Sequence, residues 1–140
     1  MLIGTYRHSL DSKNRMRIPS KFKGELGANC IITKGTGSSL MIFSGDGFQS
    51  LYERLSGISI FDEEAQKPVR KFLSSAFEAE EDAQGRILLP KELIKHAEIT
   101  KNVVFVGIGN RVEIWAEEVW EKMQDDDENA DFSVLAKLGV

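Results

Sequence analysis

The sequence has few of the residues on which catalysis, covalent cross-linking and metal binding usually depend. It contains one cysteine, two histidines and three prolines among 140 residues, so no disulfide can form within the chain. Cys30 begins the apolar run "CIIT" and is expected to be a buried thiol. Neither His8 nor His96 belongs to a Ser/His/Asp arrangement or to a metal-ligand spacing. We therefore predict that the chain is not an enzyme and needs no cofactor.

Long hydrophobic runs are also missing. No apolar stretch approaches the roughly 18 residues that a membrane span needs, and the start "MLIGTYRH" reaches a charge at Arg7 without the apolar core of a signal peptide. The proportions of hydrophobic (41%) and charged (29%) residues are those of globular proteins. We expect a soluble, cytoplasmic protein that makes no membrane contact and folds as one domain with internal duplication.

Charge is unevenly distributed along a chain whose formal net charge is -4. Residues 1–40 contain seven Lys/Arg against two Asp/Glu, whereas residues 111–140 contain three against nine. Such a molecule can present a positive face to a polyanion. On charge alone, however, a solvated surface with unevenly distributed charge is the better explanation. The acidic run "DDDEN" at 125–129 lacks the alternating ligands and glycine of a calcium loop and predicts a solvated bend.

One short pattern is written twice. "DSKNR" at 11–15 recurs as "DAQGR" at 82–86, an offset of 71 residues. The longer stretches "DSKNRMRIPSKF" and "DAQGRILLPKEL" share the aspartate, the arginine, the branched apolar residue before proline, and the proline. With small insertions, "CIIT" aligns with "VVFV" and "MIFS" with "VEIWA". The chain is therefore predicted to contain two copies of one structural unit.

Each copy is predicted to run strand, tight turn, strand, short helix, two strands and an amphipathic helix. The three-residue loop needs a positive-φ residue near its end, where Asn14 and Gly85 fit. Proline after an extended residue predicts short helices over "PSKFKGEL" and "PKELIKHA", and longer helices are predicted in "DGFQSLYERLS" and "AEEVWEKMQ". Between the copies, "FDEEAQKPVRKFLSSA" is predicted to be a helix that breaks or begins at Pro68.

The Asp-x-x-x-Arg pattern has a structural and a functional interpretation. As a clamp across a surface hairpin, the ion pair contributes only about 0 to 1 kcal/mol. Alternatively, the aspartate orients a guanidinium whose other donors reach phosphate or guanine. We favour function for Arg15, because Lys13 and Arg17 add positive charge beside it. The second copy has uncharged residues at those two positions, so both interpretations stay equally open for Arg86.

Across "GTYRHSLDSKNRMRIPSKF", "FLSSAFEAEEDAQGRILLPKELIKHAEI" and "RVEIWAEEVWE", the chain resembles the MraZ family of the bacterial division and cell-wall gene cluster. The resemblance implies an α+β, mainly β fold. Two tandem SpoVT-AbrB-like (AbrB-like) swapped-hairpin modules are expected to form one small β-barrel with flanking helices. We place the modules at residues 5–50 and 76–122, a connecting helical segment at 51–75, and a C-terminal segment at 123–140.

The resemblance also implies a function. MraZ proteins are transcriptional regulators that recognise double-stranded DNA, namely short G-rich repeats upstream of their own operon, as homo-oligomeric rings of eight or twelve subunits. A cytoplasmic, nucleoid-associated protein is expected. The resemblance attaches DNA contact to the first hairpin, so Lys13, Asn14, Arg15 and Arg17 are candidate DNA-binding residues; Arg86 of the second motif is the fifth candidate, and Asp11, Asp82 and Gly85 support the motif. Asn14 stands where the family usually has glycine; asparagine tolerates the left-handed backbone, but its side chain is expected to affect how closely the hairpin approaches a groove.

Two alternatives remain at this point. An antitoxin related to AbrB also binds DNA but needs a disordered tail to wrap a toxin, whereas the terminal "FSVLAKLGV" looks foldable. A ring-shaped scaffold that binds proteins and not DNA leaves the hairpin tips unused. Titration against repeat DNA separates the scaffold from the regulator.

Overall fold

In the computed structural model, which describes residues 1–127 and 130–140, the two sequence repeats fold into one mixed α/β structure. The first repeat comprises β1 (Leu2–Ser9), β2 (Arg15–Met16), α1 (Ser20–Leu26), β3 (Ile31–Lys34), β4 (Leu40–Phe43) and α2 (Gly45–Ser56). Helix α3 (Glu63–Ser75) connects it to the second repeat. The second repeat comprises β5 (Phe77–Glu78), β6 (Ile87–Leu88), α4 (Lys91–Ala97), β7 (Asn102–Gly109), β8 (Val112–Ala116) and α5 (Glu117–Asp127), and α6 (Ser133–Lys137) follows.

The sheets exchange strands between the two repeats. Six antiparallel strands lie in the order β1-β7-β8-β4-β3-β5. Exchanging the equivalent strands of the two repeats (β1 with β5, β3 with β7, β4 with β8) gives the same order read from the opposite edge. The first strand of each repeat therefore pairs with the other repeat. Tyr6 and Phe77 are 71 residues apart and so occupy the same position in the two repeats. Tyr6 lies opposite Phe105, and Phe77 lies opposite Ile32. Ile32 and Phe105 are therefore equivalent, which confirms the predicted alignment of "CIIT" with "VVFV". Neither repeat completes its part of the sheet alone.

The closed barrel that the resemblance implies is not formed. Within residues 1–127 and 130–140, no strand pairing joins the edge strands β1 and β5, so the six-stranded sheet stays open. Two features account for this. Strand β5 is only two residues long, and β2 and β6 leave the sheet to form a separate two-stranded ribbon with each other. The supported architecture is a mostly antiparallel sheet with flanking helices, built from two tandem units.

The main core contains matching residues from the two repeats. Phe22 and Leu26 of α1 and Leu93 and Ala97 of α4 are buried in a single cluster with the inward side chains of the sheet. Cys30 is buried in the same cluster, as predicted, and its burial raises the pKa of the thiol. This shared core fixes the ribbon, because β2 and β6 contribute buried Met16 and Ile87 to it.

The predicted helices are confirmed, with one correction at Pro68. Helices α1 and α4 begin directly after Pro19 and Pro90. Helix α3 neither breaks nor begins at Pro68 but runs through it from Glu63. Its start is fixed by Asp62, whose side chain accepts a hydrogen bond from the Ala65 N–H at 3.1 Å. The helix therefore begins at this cap. Pro68 lies inside the helix, where it removes one backbone N–H donor but does not end it.

The acidic run differs from its prediction in part. Asp125–Asp127 form the end of α5 and not a bend, whereas Glu128 and Asn129 lie outside the described residues. Every residue from 130 to 140 is exposed, including all of α6. Among the helices of the described chain, none combines the length and apolarity that crossing a membrane requires.

Candidate nucleic-acid interface

The first Asp-x-x-x-Arg turn is organised by the side chain of Asp11. Its Oδ1 accepts hydrogen bonds from the backbone N–H groups of Lys13 and Arg15, both at 2.9 Å. Its Oδ2 accepts a hydrogen bond from Nε of Arg15 at 2.7 Å. The N–H of Asp11 donates to the carbonyl of Arg15 at 2.9 Å and closes the loop. One carboxylate therefore builds the turn and orients the guanidinium at the same time.

The second turn repeats this geometry. Oδ1 of Asp82 accepts from the backbone N–H groups of Gln84 and Arg86 at 2.9 Å, and Oδ2 accepts from Nε of Arg86 at 2.8 Å. Position four of both loops has a positive φ, 62° at Asn14 and 75° at Gly85. The predicted backbone requirement at these two positions is confirmed, and asparagine satisfies it where the first loop lacks glycine.

Hydrogen bonding keeps both aspartates ionised. The backbone N–H of Arg15 is the largest cause that lowers the pKa of Asp11, and the backbone N–H of Arg86 does the same for Asp82. The side-chain bond from each arginine lowers these pKa values further. At neutral pH each carboxylate is thus a charged acceptor that binds Nε of its arginine, and this bond leaves the two terminal nitrogens available to other acceptors.

The two turns are joined into one surface, which the sequence did not predict. The arms of each expected hairpin do not form a ladder with each other, because β1 pairs with β7 while β2 pairs with β6. Across the ribbon, Arg15 lies opposite Leu88, and the Leu89 N–H donates to the Asn14 carbonyl at 2.9 Å. Nε of Arg17 donates to the carbonyl of Gln84 at 3.2 Å. The two tips therefore form a single unit.

The ribbon brings the predicted arginines together. Arg15, Arg17 and Arg86 line one depression of about 320 Å³, which His8 and Asp11 also line. The side chains of Arg15 and Arg86 are only 25% and 23% exposed, so most of each side chain is covered. The structure thus places three of the five candidate DNA-binding residues in one small site.

Lys13 lies in an adjoining depression with Arg15 and Arg86. Three acidic residues, Glu80, Glu81 and Asp82, line the same depression beside the second tip. The first tip therefore carries most of the positive charge, while the second carries carboxylates. This difference between the tips agrees with the sequence, where the second motif has uncharged Gln84 and Leu88 at the positions of Lys13 and Arg17.

Ion pairs remove much of the positive charge of the first forty residues. The paired residues are Arg7 with Glu117 and Glu121, Arg15 with Asp11, Lys23 with Glu81, and Lys34 with Glu92. Lys13, Arg17 and Lys21 are exposed and make no ion pair within the described residues. Most of the acidic partners are remote in sequence, so counting charges along the chain overstated the positive face.

Other residues considered from the sequence have structural roles. Nε2 of His96 lies 3.1 Å from the carbonyl oxygen of Ser39, and burial lowers the pKa of this imidazole. Trp115 is buried against Val104 and Trp120, as the predicted packing role requires. In the part of the chain that the structure describes, no three His, Cys, Asp or Glu side chains are placed to hold a metal ion.

Comparison with known proteins identifies relatives over nearly the whole chain. The family model described as "MraZ protein, putative antitoxin-like" matches residues 1–71 and again 72–137, which agrees with the internal duplication. A protein of Caldanaerobacter subterraneus subsp. tengcongensis is 45% identical over 122 residues, covering 87% of this chain and 85% of the relative. One of Clostridium tetani is 42% identical over 137 residues, covering 98% and 95%. One of Alkaliphilus oremlandii is 41% identical over the full length of both proteins.

All three relatives carry the name "Transcriptional regulator MraZ". The name describes regulators of transcription and not enzymes, which agrees with the expectation from the sequence. With two consecutive matches to the family model and relatives above 40% identity over most of its length, the chain belongs to the MraZ family.

Proposed function

We propose that this chain is a transcriptional regulator that binds double-stranded DNA sequence-specifically. The observation that carries the proposal is the ribbon of two joined Asp-x-x-x-Arg turns, with exposed Lys13 and Arg17 beside it. A two-stranded ribbon fits the major groove of B-DNA, which is about 12 Å wide and displays a distinct pattern for each base pair. The names of the relatives support the same conclusion.

The proposed roles of the residues follow from their contacts. Arg15, whose Nε is held by Asp11, directs its terminal nitrogens at guanine O6 and N7 or at a phosphate. Lys13 and Arg17, which make no ion pair in the described chain, contact phosphates. Asn14 lies at the end of the loop and sets how closely the tip approaches. Arg86 contributes less, because Gln84 and Leu88 stand in the second motif where the first has Lys13 and Arg17.

The proposed target is short G-rich repeats upstream of the chain's own division and cell-wall operon. Family membership supports this target, a cytoplasmic, nucleoid-associated location, and assembly into a ring of eight or twelve subunits.

Assembly into a ring also has a physical reason. A chain of net charge -4 with few unpaired cations at its tip binds DNA weakly alone, whereas several linked tips raise the effective concentration of each further contact.

The exchange of strands between the repeats supports a swapped-hairpin description of each module. On this proposal the modules are residues 5–50 and 76–122, the connecting helical segment is 51–75, and the C-terminal segment is 123–140. Because β1 and β5 each complete the sheet of the other repeat, the modules are expected to fold together and not separately.

A binding titration tests the proposal. Labelled DNA from upstream of the gene is compared with a scrambled duplex of the same composition by fluorescence anisotropy, at about 50 mM and about 200 mM salt. We expect the upstream DNA to bind on the order of 10³-fold more tightly and both affinities to fall with salt. Equal affinity for both duplexes contradicts sequence-specific regulation, and absence of binding favours the scaffold alternative.

A further inference from the structure

An apolar groove lies between α2 and α3, away from the ribbon. It encloses about 390 Å³. Its apolar lining consists mainly of half-buried side chains: Met41, Leu51, Leu55, Ile58, Val69 and Phe72. Helix α2 contains no fully buried residue, and α3 buries only Ser75. Both helices therefore leave part of their apolar side chains uncovered along this groove, and such a contiguous apolar surface is typical of a contact site.

Two lysines lie at the edge of this groove, and the helices beside it carry exposed charges of both signs, including the acidic Glu53, Glu63 and Glu64. Lys34 and Lys71 line the groove, and Arg54 and Arg70 are exposed on the same two helices. Lys34 is paired with Glu92, whereas the other three make no ion pair within the described chain. The groove shares no lining residue with the depressions of the ribbon. It is therefore a separate surface, apolar at its centre, with Lys34 and Lys71 at its edge.

The last eleven residues of the C-terminal segment, 130–140, have the complementary character. Their large apolar side chains are 44% to 87% exposed: Phe132, Val134, Leu135, Leu138 and Val140. Acidic residues precede and begin this apolar stretch, with Asp125–Asp127 at the end of α5 and Asp131 before α6. So many exposed apolar side chains within eleven residues favour self-association unless a partner covers them.

We propose that the C-terminal segment of one copy docks in the α2–α3 groove of a second copy. Apolar side chains then cover the apolar lining, and the acidic residues face Lys71, the lining lysine that makes no ion pair within the described chain. No residue of the segment lines the groove of its own chain. Because groove and segment are different surfaces of one chain, the contact is head-to-tail, and repeated contacts of this type close into a ring when the rotation permits. The inference rests on the proposed oligomer and supplies a contact that builds it.

Three full-length variants test the contact by sedimentation velocity. The tail variant is Leu135→Asp with Leu138→Asp, and the groove variant is Val69→Asp. The matched control is Ile60→Asp, which makes the same kind of change at a side chain that is 77% exposed and outside the groove. We expect the parent and the control to sediment as one assembly, and the tail and groove variants as monomers of 15.7 kDa.

Mixing the variants distinguishes docking between copies from docking within one chain. The tail variant retains an intact groove, and the groove variant retains an intact tail. Together they are expected to form a 1:1 dimer and nothing larger, because each pair has only one complete contact.

Lys71→Glu is a second groove variant that leaves the apolar packing unchanged, since this side chain is exposed. Circular dichroism and thermal melting show that each variant is folded before it is mixed.

Several results overturn the proposal: a parent that is monomeric, a tail variant that still assembles, or a mixture of folded variants that stays monomeric. The DNA titration is a separate measurement. An assembled parent that does not bind upstream DNA contradicts the proposed regulator and not this contact, whereas an assembled tail variant contradicts this contact and not the regulator.

Discussion

The carbonyl oxygen of Asn14 accepts a hydrogen bond from the backbone N–H of Leu89 at 2.9 Å, which joins the loop of the first repeat to the chain leaving the second repeat's ribbon strand. The loop is therefore held from two sides, by Asp11 within the turn and by Leu89 across the ribbon. A change in the backbone at Asn14 affects both contacts. This makes residue 14 a sensitive point of the ribbon, although it carries no charge.

The positive φ of Asn14 predicts how substitutions there act. Asn14→Gly should preserve stability or raise it slightly, because glycine adopts a φ of 62° without steric cost. Asn14→Val should destabilise the fold by about 1 to 2 kcal/mol or more, since a β-branched side chain fits the left-handed region poorly. Urea denaturation measures both changes. Ser12→Val is the control, because it places the same side chain in the same loop where φ is not positive.

A second prediction concerns acid stability. The folded-state pKa of Asp82 lies below its unfolded value of about 3.9, so its contribution to stability is present above that value and lost as pH falls through the folded pKa. Asp82→Asn should therefore lower the melting temperature at about pH 7 and lose less stability on acidification. The melting temperatures of variant and parent should converge as the pH falls below the folded-state pKa of Asp82.

The control for this prediction lies in the first repeat. The pKa of Asp11 is lowered by the equivalent bonds, so Asp11→Asn should show the same sign and the same pH window. A constant difference in melting temperature from neutral to acid pH, in either variant, means that ionisation of the aspartate does not stabilise the turn.

The features that the sequence predicted correctly depend on neighbouring residues. The positive φ at Asn14 and Gly85 follows from the loop length, and α1 and α4 follow from the prolines before them. In these places a few adjacent residues determine the backbone, so no knowledge of the rest of the chain is needed.

The features that the sequence did not predict depend on contacts between remote residues. The pairing of β2 with β6 joins residues about 70 positions apart, and Arg7 meets Glu117 across 110 positions. Alternation of apolar and polar residues indicates a strand but does not identify its partner strand, so the ribbon and the open sheet could not be predicted from the sequence.

The prediction at Pro68 was wrong for a local reason. The cap at Asp62, and not the proline, sets where α3 begins.

The two motif arginines provide a matched comparison for DNA binding. Arg15 and Arg86 make equivalent bonds to their aspartates and are almost equally exposed, so alanine removes the same structural contact in each repeat. If Arg15 reads a base, Arg15→Ala should weaken binding to upstream DNA by about 1 to 3 kcal/mol and Arg86→Ala by less. Anisotropy titration measures the difference, after sedimentation has shown that both variants keep the parental assembly. Equal losses contradict a special role for the first tip.

The cations beside the first tip should act mainly on phosphates. Lys13→Ala and Arg17→Ala are expected to weaken binding to specific and scrambled DNA by similar factors, and each should reduce the slope of log affinity against log salt by about 1 per tip engaged. Lys122→Ala is the control, because this exposed lysine lies on α5 and lines neither depression. A variant that loses affinity for the upstream DNA alone identifies a base contact and contradicts the phosphate role.

The last prediction concerns the number of repeats. In an assembled protein each further DNA repeat engages another tip at high effective concentration, so affinity should rise with repeat number well beyond a statistical factor, and its salt dependence should steepen. A monomer meets the general repulsion of an acidic chain with one tip, so its affinity should barely change with repeat number. The measurement uses DNA with one, two, three and four repeats, with the parent and the L135D/L138D variant compared at equal subunit concentration. If the monomeric variant binds four repeats as tightly as the parent does, linked tips are not the source of affinity, and a single ribbon must provide the whole of it.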